Sequence, residues 1–371
     1  MDDEGRAAGS LDPAPYRPPV DGRTHRGRGH YFRHRRPPHG GDRERATYAA
    51  LDLGTNNCRL LIARPSGDSF RVVDAFSRII RLGEGVSATG RLSDAAISRA
   101  VVALGICRDK MHNRGVTRAR LIATEACRAA ANGVEFLRLI RDEVGIELEI
   151  VDRETEADLA ATGCTPLIDP QARGVLLFDI GGGSSELVSL AQSEPVTYGP
   201  PRPVVRAWVS LPVGVVTLAE RHGGVRVDRA LFEVMVAEVA GHVAPFTASQ
   251  DGDLDGVHML GTSGTVTTIA GIHLRLPRYD RRRVDGCWLS ETEVTRVIDD
   301  LIAMTYEERV ANACIGSERA DLVLAGCAIL EAIRRAFPVP RLRVADRGLR
   351  EGILVKLMRE DGVWAHAGAP A

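Results

Sequence analysis

Lysine is almost absent: Lys110 and Lys356 are the only two in 371 residues. Cationic chemistry therefore rests on arginine, whose planar fork suits bidentate contacts with phosphate. The skew runs along the whole chain, so it singles out no site. No Cys-x-x-Cys pair occurs, and the cysteines (58, 107, 127, 164, 287, 314 and 327) number seven, an odd count. That excludes a zinc ribbon and a closed disulfide framework, and predicts reduced thiols in a cytoplasmic protein. No apolar run approaches a membrane span and the N-terminus has no apolar signal core, so no membrane partner is expected. Neither sign of charge dominates: 48 basic and 49 acidic residues nearly cancel. Bulk charge thus gives no reason to expect a specific nucleic-acid partner.

What is present is one motif written twice. Asp52-Leu53-Gly54-Thr55-Asn56-Asn57-Cys58-Arg59-Leu60 and Asp179-Ile180-Gly181-Gly182-Gly183-Ser184-Ser185-Glu186-Leu187 align at a constant offset of 127, taken as 179 less 52 or 187 less 60. In each, a buried strand ends in a carboxylate and small residues follow. Glycine lets a phosphate approach backbone N–H groups, and Thr, Asn or Ser adds donors. An aspartate at the strand end is suited to a divalent cation, Mg²⁺ or another. One copy alone reads equally as a tight turn. Two aligned copies are a property of architecture, and they predict a cleft for a chain of phosphates, with Gly54, Thr55, Asn56, Asn57, Gly181, Gly182, Gly183 and Ser184 as its cradle and Asp52 and Asp179 at the metal.

Two further segments carry chemistry. Gly261-Thr262-Ser263-Gly264-Thr265 follows a strand and precedes a helical stretch, the setting of an anion site at a helix start. Glu125 stands directly after the buried strand Leu121–Thr124, where α/β strand ends open onto a cleft. It reads either as a carboxylate that activates water beside a phosphate or as a helix-start acid favoured by the macrodipole. Arg128 follows within reach of the same phosphate. Glu154 and Glu156 begin the next helix, as metal ligands, as braces for the base, or as ordinary first-turn acids.

The remaining pattern alternates strands with helices, which predicts an α/β fold. Strands are expected at Tyr48–Leu53, Arg59–Pro65, Phe70–Ile80, Glu147–Val151, Val175–Asp179, Trp208–Leu211, Val257–Leu260 and Leu342–Ala345. Helices are expected at Asp94–Arg108 with Ser93 as N-cap, and at Glu154–Gly163, Ala230–Val243, Glu293–Met304, Asp321–Ala336 and Gly348–Met358. The domains follow as an Arg/Pro/Gly-rich disordered tail over 1–46, units at 47–172 and 173–345, a C-terminal helix at 346–360 that returns to the first unit, and a flexible end over 361–371. The tail holds too few large aliphatics to fold alone, and its arginines are of a kind that touch polyanions.

Ala50 to Asn57, Ala123-Thr124-Glu125-Ala126-Cys127-Arg128, Phe178 to Leu187 and Gly348-Leu349-Arg350-Glu351-Gly352-Ile353-Leu354 together resemble the exopolyphosphatase/guanosine pentaphosphate phosphohydrolase (Ppx/GppA) family. The resemblance spans about Thr47 to Met358. It implies duplicated actin-like domains of the acetate kinase/Hsp70/actin ATPase type, with an interdomain cleft. It also implies Mg²⁺-assisted hydrolysis of a terminal phosphoanhydride in polyphosphate or guanosine pentaphosphate, and a homodimer. By the same resemblance Glu125 matches the general base, Glu154 the second acid 29 positions on, and Arg81 a basic phosphate contact. Three features depart from the family pattern. Asp158 stands where an arginine is usual, Ser263 where a glycine is usual, and the chain stops soon after Met358, where longer relatives add a helical domain. The last favours short polyphosphate or the nucleotide. The rival readings are a sugar or carboxylate kinase of the same superfamily and a non-catalytic nucleotide-binding regulator.

Overall fold

The computed structural model describes residues 46–194, 196, 198–250 and 253–365. The expected tail thus lies outside the described residues except for Ala46, which is buried. The strands are β1 (Tyr48–Leu53), β2 (Asn57–Ser66), β3 (Ser69–Ile79), β4 (Arg118–Ala123), β5 (Glu149–Ile150), β6 (Gly174–Ile180), β7 (Ser185–Glu194), β8 (Arg202–Leu211), β9 (Val257–Thr262), β10 (Trp288–Ser290) and β11 (Arg341–Ala345). They form two sheets, ordered β3-β2-β1-β4-β5 and β10-β11-β9-β6-β7-β8. The second repeats the first strand for strand. β6 takes the place of β1, β7 of β2, β8 of β3, β9 of β4 and β11 of β5, while β10 is added at the edge. Directions repeat as well: β1 is antiparallel to β2 and parallel to β4, and β6 is antiparallel to β7 and parallel to β9. This is a duplicated actin-like α/β fold.

Period-2 patterning explains why both sheets are covered on two faces. In the first lobe Ala49, Leu51 and Leu53 face one core, shared with the helix Asp94–Asn113. Tyr48 and Ala50 face another, shared with the C-terminal helix Leu349–Glu360. In the second lobe Leu176, Phe178 and Ile180 face the large core, and Val175 and Leu177 face the opposite side. The helix Arg153–Cys164 lies between the sheets, with Leu159 toward the first and Ala157, Ala161 and Cys164 toward the second. Its crossing with Leu349–Glu360 leaves no room for side chains. A Cβ on Gly163 would stand 1.9 Å from the Gly348 carbonyl oxygen, and one on Gly352 1.9 Å from that of Leu159.

Three expectations need correction. Among the described residues one helix, Arg229–Ala248, is long and apolar enough by length and composition to cross a membrane. It lays one face on the second lobe's core: Phe232, Met235, Val236, Val239, Val243 and Phe246 recur on that face and are buried there. The end of the chain is not free from 361 onward. Asp361 is buried, accepts from Tyr48 Oη at 3.0 Å and pairs with Arg118 at 3.1 Å, while Trp364 Nε1 donates to Gly67 O at 3.0 Å. Residues 366–371 lie outside the described residues. Asp158, expected near the polyanion site, pairs instead with Lys356 across the helix crossing.

Candidate active site

Four strand ends converge between the lobes. Parallel pairing sets Leu53 beside Ala123 and Asp179 beside Thr262, so each hairpin lies next to the turn that leaves the neighbouring strand. Both hairpins close the same way: Gly54 N donates to Asn57 O at 2.9 Å, and Gly181 N donates to Ser184 O at 3.0 Å. They face each other closely. A Cβ on Gly182 would lie 2.9 Å from Thr55 Cβ, and one on Gly183 would lie 2.9 Å from Thr55 Oγ1 and 3.0 Å from Glu125 Cγ.

The space between them is a cavity of about 130 Å³. Asp52, Gly54, Thr55, Asn56, Asn57, Glu125, Glu156, Asp179, Gly181 to Ser184, Ser263, Gly264 and Thr265 all line it. It shares Asp52, Arg59, Asp179 and Arg319 with a second chamber of about 460 Å³, which Arg281, Arg347 and Arg350 also line. Asn56 Oδ1, Asn57 Oδ1 and Ser263 Oγ are buried without a hydrogen-bond partner. Buried polar atoms left unpaired are costly, so three of them on one cleft mark a place that expects a polar ligand.

The aspartates occupy equivalent positions with unlike neighbours. Asp52 is opposite Arg59 across β1 and β2, and Asp179 is opposite Glu186 across β6 and β7. Burial pushes Asp52 up, against the pull of Arg59 and Arg350. Burial pushes Asp179 up to about 6, with Arg59 opposing and Asp52 adding. Two desolvated carboxylates without a side-chain donor fit a divalent cation. Mg²⁺ typically takes one or two carboxylates and completes its shell with water and substrate phosphate. Among the described residues no group of three or more His, Cys, Asp or Glu side chains makes a self-sufficient metal cage.

The carboxylates near the first hairpin form a network. Arg128 donates to Glu125 Oε2 through Nε at 3.0 Å and Nη2 at 2.7 Å, and Nη2 also reaches Glu156 Oε2 at 3.1 Å. Arg153 Nη2 donates to Glu125 Oε1 at 2.9 Å. Glu186 accepts from Ser184 Oγ and Ser210 Oγ, both at 2.8 Å. Burial and Asp179 push it up to about 7. Burial and Glu186 hold Glu156 well above the usual carboxylate range.

Residues 61–361 match the Ppx/GppA phosphatase family. The chain belongs to that family. As a Ppx/GppA phosphatase it is a hydrolase of phosphoanhydride bonds. It is 29% identical over 326 residues to Exopolyphosphatase 2 of Mycobacterium tuberculosis, an alignment covering 83% of this chain and 98% of that one. Its structure is similar to that of an exopolyphosphatase-like protein, with TM-score 0.76 and 30% identity over 85% of this chain and 99% of the other. It is also similar to the Ppx/GppA family member of Aquifex aeolicus, with TM-score 0.69 and 28% identity over 87% and 99%.

Within this Ppx/GppA phosphatase several expected site residues stand elsewhere. Glu154 is exposed, while Glu156, two residues on, turns into the cleft. Arg128 is committed to the carboxylates and does not line the cavity. Arg81 grips Asp321 in the other lobe through Nη1 at 2.9 Å and Nη2 at 3.0 Å. Gly261 is inside β9, where a Cβ would stand 2.6 Å from the Phe178 ring. Thr262 lines only the second chamber, with its Oγ1 donating to Arg347 O at 2.6 Å. Sequence reasoning missed Arg59, Glu186 and Arg319. The first two were legible, because an antiparallel hairpin puts the seventh residue after each aspartate on the aspartate's own face. Nothing in the local sequence marks Arg319.

Proposed function

We propose that this phosphatase removes the terminal phosphate of inorganic polyphosphate, of guanosine pentaphosphate, or of both, by attack of water. The observation that carries the reading is the pair of facing hairpins with unpartnered polar atoms and desolvated carboxylates between them. Asp52 and Asp179 would hold Mg²⁺, which neutralises charge on the phosphate oxygens when bound. The N–H groups of Gly182, Gly183 and Gly264 donate to the terminal phosphate, and preorganised donors of this kind stabilise charge developing in the transition state. Arg59 and Arg319, whose guanidiniums make no hydrogen bond or ion pair among the described residues, take oxygens further along the chain.

The water proton goes to the Glu156–Glu186 pair. Both line the cavity, burial and Glu186 raise Glu156, burial and Asp179 raise Glu186 to about 7, and a base poised near neutral pH is the efficient one. Glu125, whose oxygens are taken by Arg128 and Arg153, holds Arg128 in place. As the water oxygen bonds to phosphorus, the bond from phosphorus to the bridging oxygen breaks. Orthophosphate leaves, and that oxygen stays with a chain one unit shorter. A reducing cytoplasm suits seven free thiols.

The test is orthophosphate release from short polyphosphate, long polyphosphate and guanosine pentaphosphate, with Mg²⁺ and without an acceptor. Release from at least one is expected. No release from any of them refutes the reading, and the ranking assigns the substrate.

A further inference from the structure

The grip of Arg81 on Asp321 spans 240 residues and both lobes. Its geometry is that of a fork closing on a carboxylate, with Nη2 also reaching Glu318 O at 3.2 Å. A second contact lies beside it: Glu220 of the second lobe accepts from Gly85 N at 2.8 Å and from Ser87 Oγ. Both partners are anchored. On the first lobe, Ile80 N and Arg81 N donate to Asn56 O at 2.9 and 3.0 Å, and Gly83 N donates to Thr55 O at 2.9 Å. The backbone that carries Arg81 is therefore the backbone that fixes the first phosphate hairpin. Arg99 holds it from behind, with Nε donating to Ile80 O at 2.7 Å. Arg81 itself has φ 46°, the left-handed region where a non-glycine residue is uncommon.

On the second lobe, the fully buried Arg309 donates to Ala320 O at 3.0 Å and Gly224 O at 3.1 Å. This pins the peptide directly before Asp321. Asn56 also lines a cavity of about 250 Å³ behind the grip, together with Arg81, Glu220 and Asp321.

We infer that Asp321 is a positioning residue: by holding Arg81 it sets the first hairpin, through the Asn56 and Thr55 carbonyls, against the glycine hairpin of the other lobe. Arg81 acts here as a strap between lobes and touches no phosphate. The inference rests on the hydrolytic reading above, because the closed pair of hairpins is what that reading uses.

The test compares R81A, D321A, the double variant R81A/D321A and the swap R81D/D321R. Aspartate tolerates left-handed backbone better than most residues, so the swap keeps the loop. Each single variant should lower kcat/KM on short polyphosphate by about 3- to 10-fold, as expected for losing a partly exposed bidentate pair. The double variant should be no worse than either single one, because they remove the same contact. The swap should recover most of the loss. If Arg81 instead binds phosphate, D321A frees it and leaves kcat/KM at or above wild type while R81A does not, and the swap fails; that result overturns the inference. Hydrogen exchange on the ligand-free protein separates this failure from failure of the substrate reading. Amides of Gly54 and Gly83 should exchange faster in D321A and recover in the swap. Unchanged exchange in D321A also overturns the inference, whereas a wild-type protein that releases no phosphate overturns only the hydrolytic reading.

Discussion

Gly183→Ala tests whether the cleft depends on how closely the hairpins approach. Gly183 is not among the glycines with left-handed φ, so alanine fits its backbone, and only contacts oppose the new methyl. That methyl would stand 2.9 Å from Thr55 Oγ1 and 3.0 Å from Glu125 Cγ, where ordinary contact starts near 3.4 Å. About half an ångström must be found. Glu125 is held by Arg128 and Arg153, and Thr55 through its carbonyl by Gly83 N, so neither yields freely. Overpacking of this kind costs about 1–3 kcal/mol. The lobes meet here without a continuous core, so the strain is relieved by spreading them rather than by unfolding. A misplacement on the order of 1 Å costs about 100-fold in rate. Half of that predicts a fall in kcat/KM of about 10-fold, with Tm lowered by less than about 5 °C. Orthophosphate release and a thermal melt read the two quantities. Gly105→Ala is the control: it lies in the helix Asp94–Asn113 with nothing within 4 Å, and it should leave the rate alone and stabilise by about 0.5–1 kcal/mol. A G183A protein with wild-type kcat/KM would refute the argument, because the hairpins would then have slack that the contacts deny.

Glu186→Gln should cut turnover by about 10²–10⁴-fold. Burial raises the Glu186 carboxyl to about 7, so the folded state holds its proton more tightly than the unfolded state. The associated stability is present below about 4.5 and is lost as pH rises through about 7, so E186Q should melt above wild type at pH 8 and level with it at pH 4. Equal melting temperatures at pH 8 would show that Glu186 carries no buried charge. Asp179→Asn should raise the Mg²⁺ concentration for half-maximal rate, since one of two cleft carboxylates is lost; an unchanged requirement makes Asp179 a turn residue. Ser263 has φ 90° and ψ −177°, a region almost reserved for glycine that costs about 1–3 kcal/mol, and its buried hydroxyl has no partner. Ser263→Gly should therefore raise Tm, and a fall in Tm would show that the hydroxyl is bonded after all.

What was legible in the sequence was local, and what was not depended on docking. The hairpins could be read because strand, turn and return strand are contiguous, and the constant offset of 127 states the duplication in the sequence itself. The choice between Glu154 and Glu156 depends on the phase of the helix Arg153–Cys164. That helix buries Ala157 and Leu159 to Cys164 on nearly every side, so it has no apolar stripe from which to read a face. Only its position between two sheets turns Glu156 inward. The pairing of Arg81 with Asp321 was hidden for a related reason, since the partner is 240 residues away and an arginine beside a phosphate loop satisfies a carboxylate as readily as a phosphate. The duplication also concealed a difference. At the seventh residue after each aspartate the first hairpin has Arg59 and the second Glu186. In the proposed hydrolysis, Arg59 on one wall would give the cleft a binding side and Glu186 on the other a proton-accepting side. On that reading, the 59/186 position is one where the two copies of the motif have diverged to serve hydrolysis.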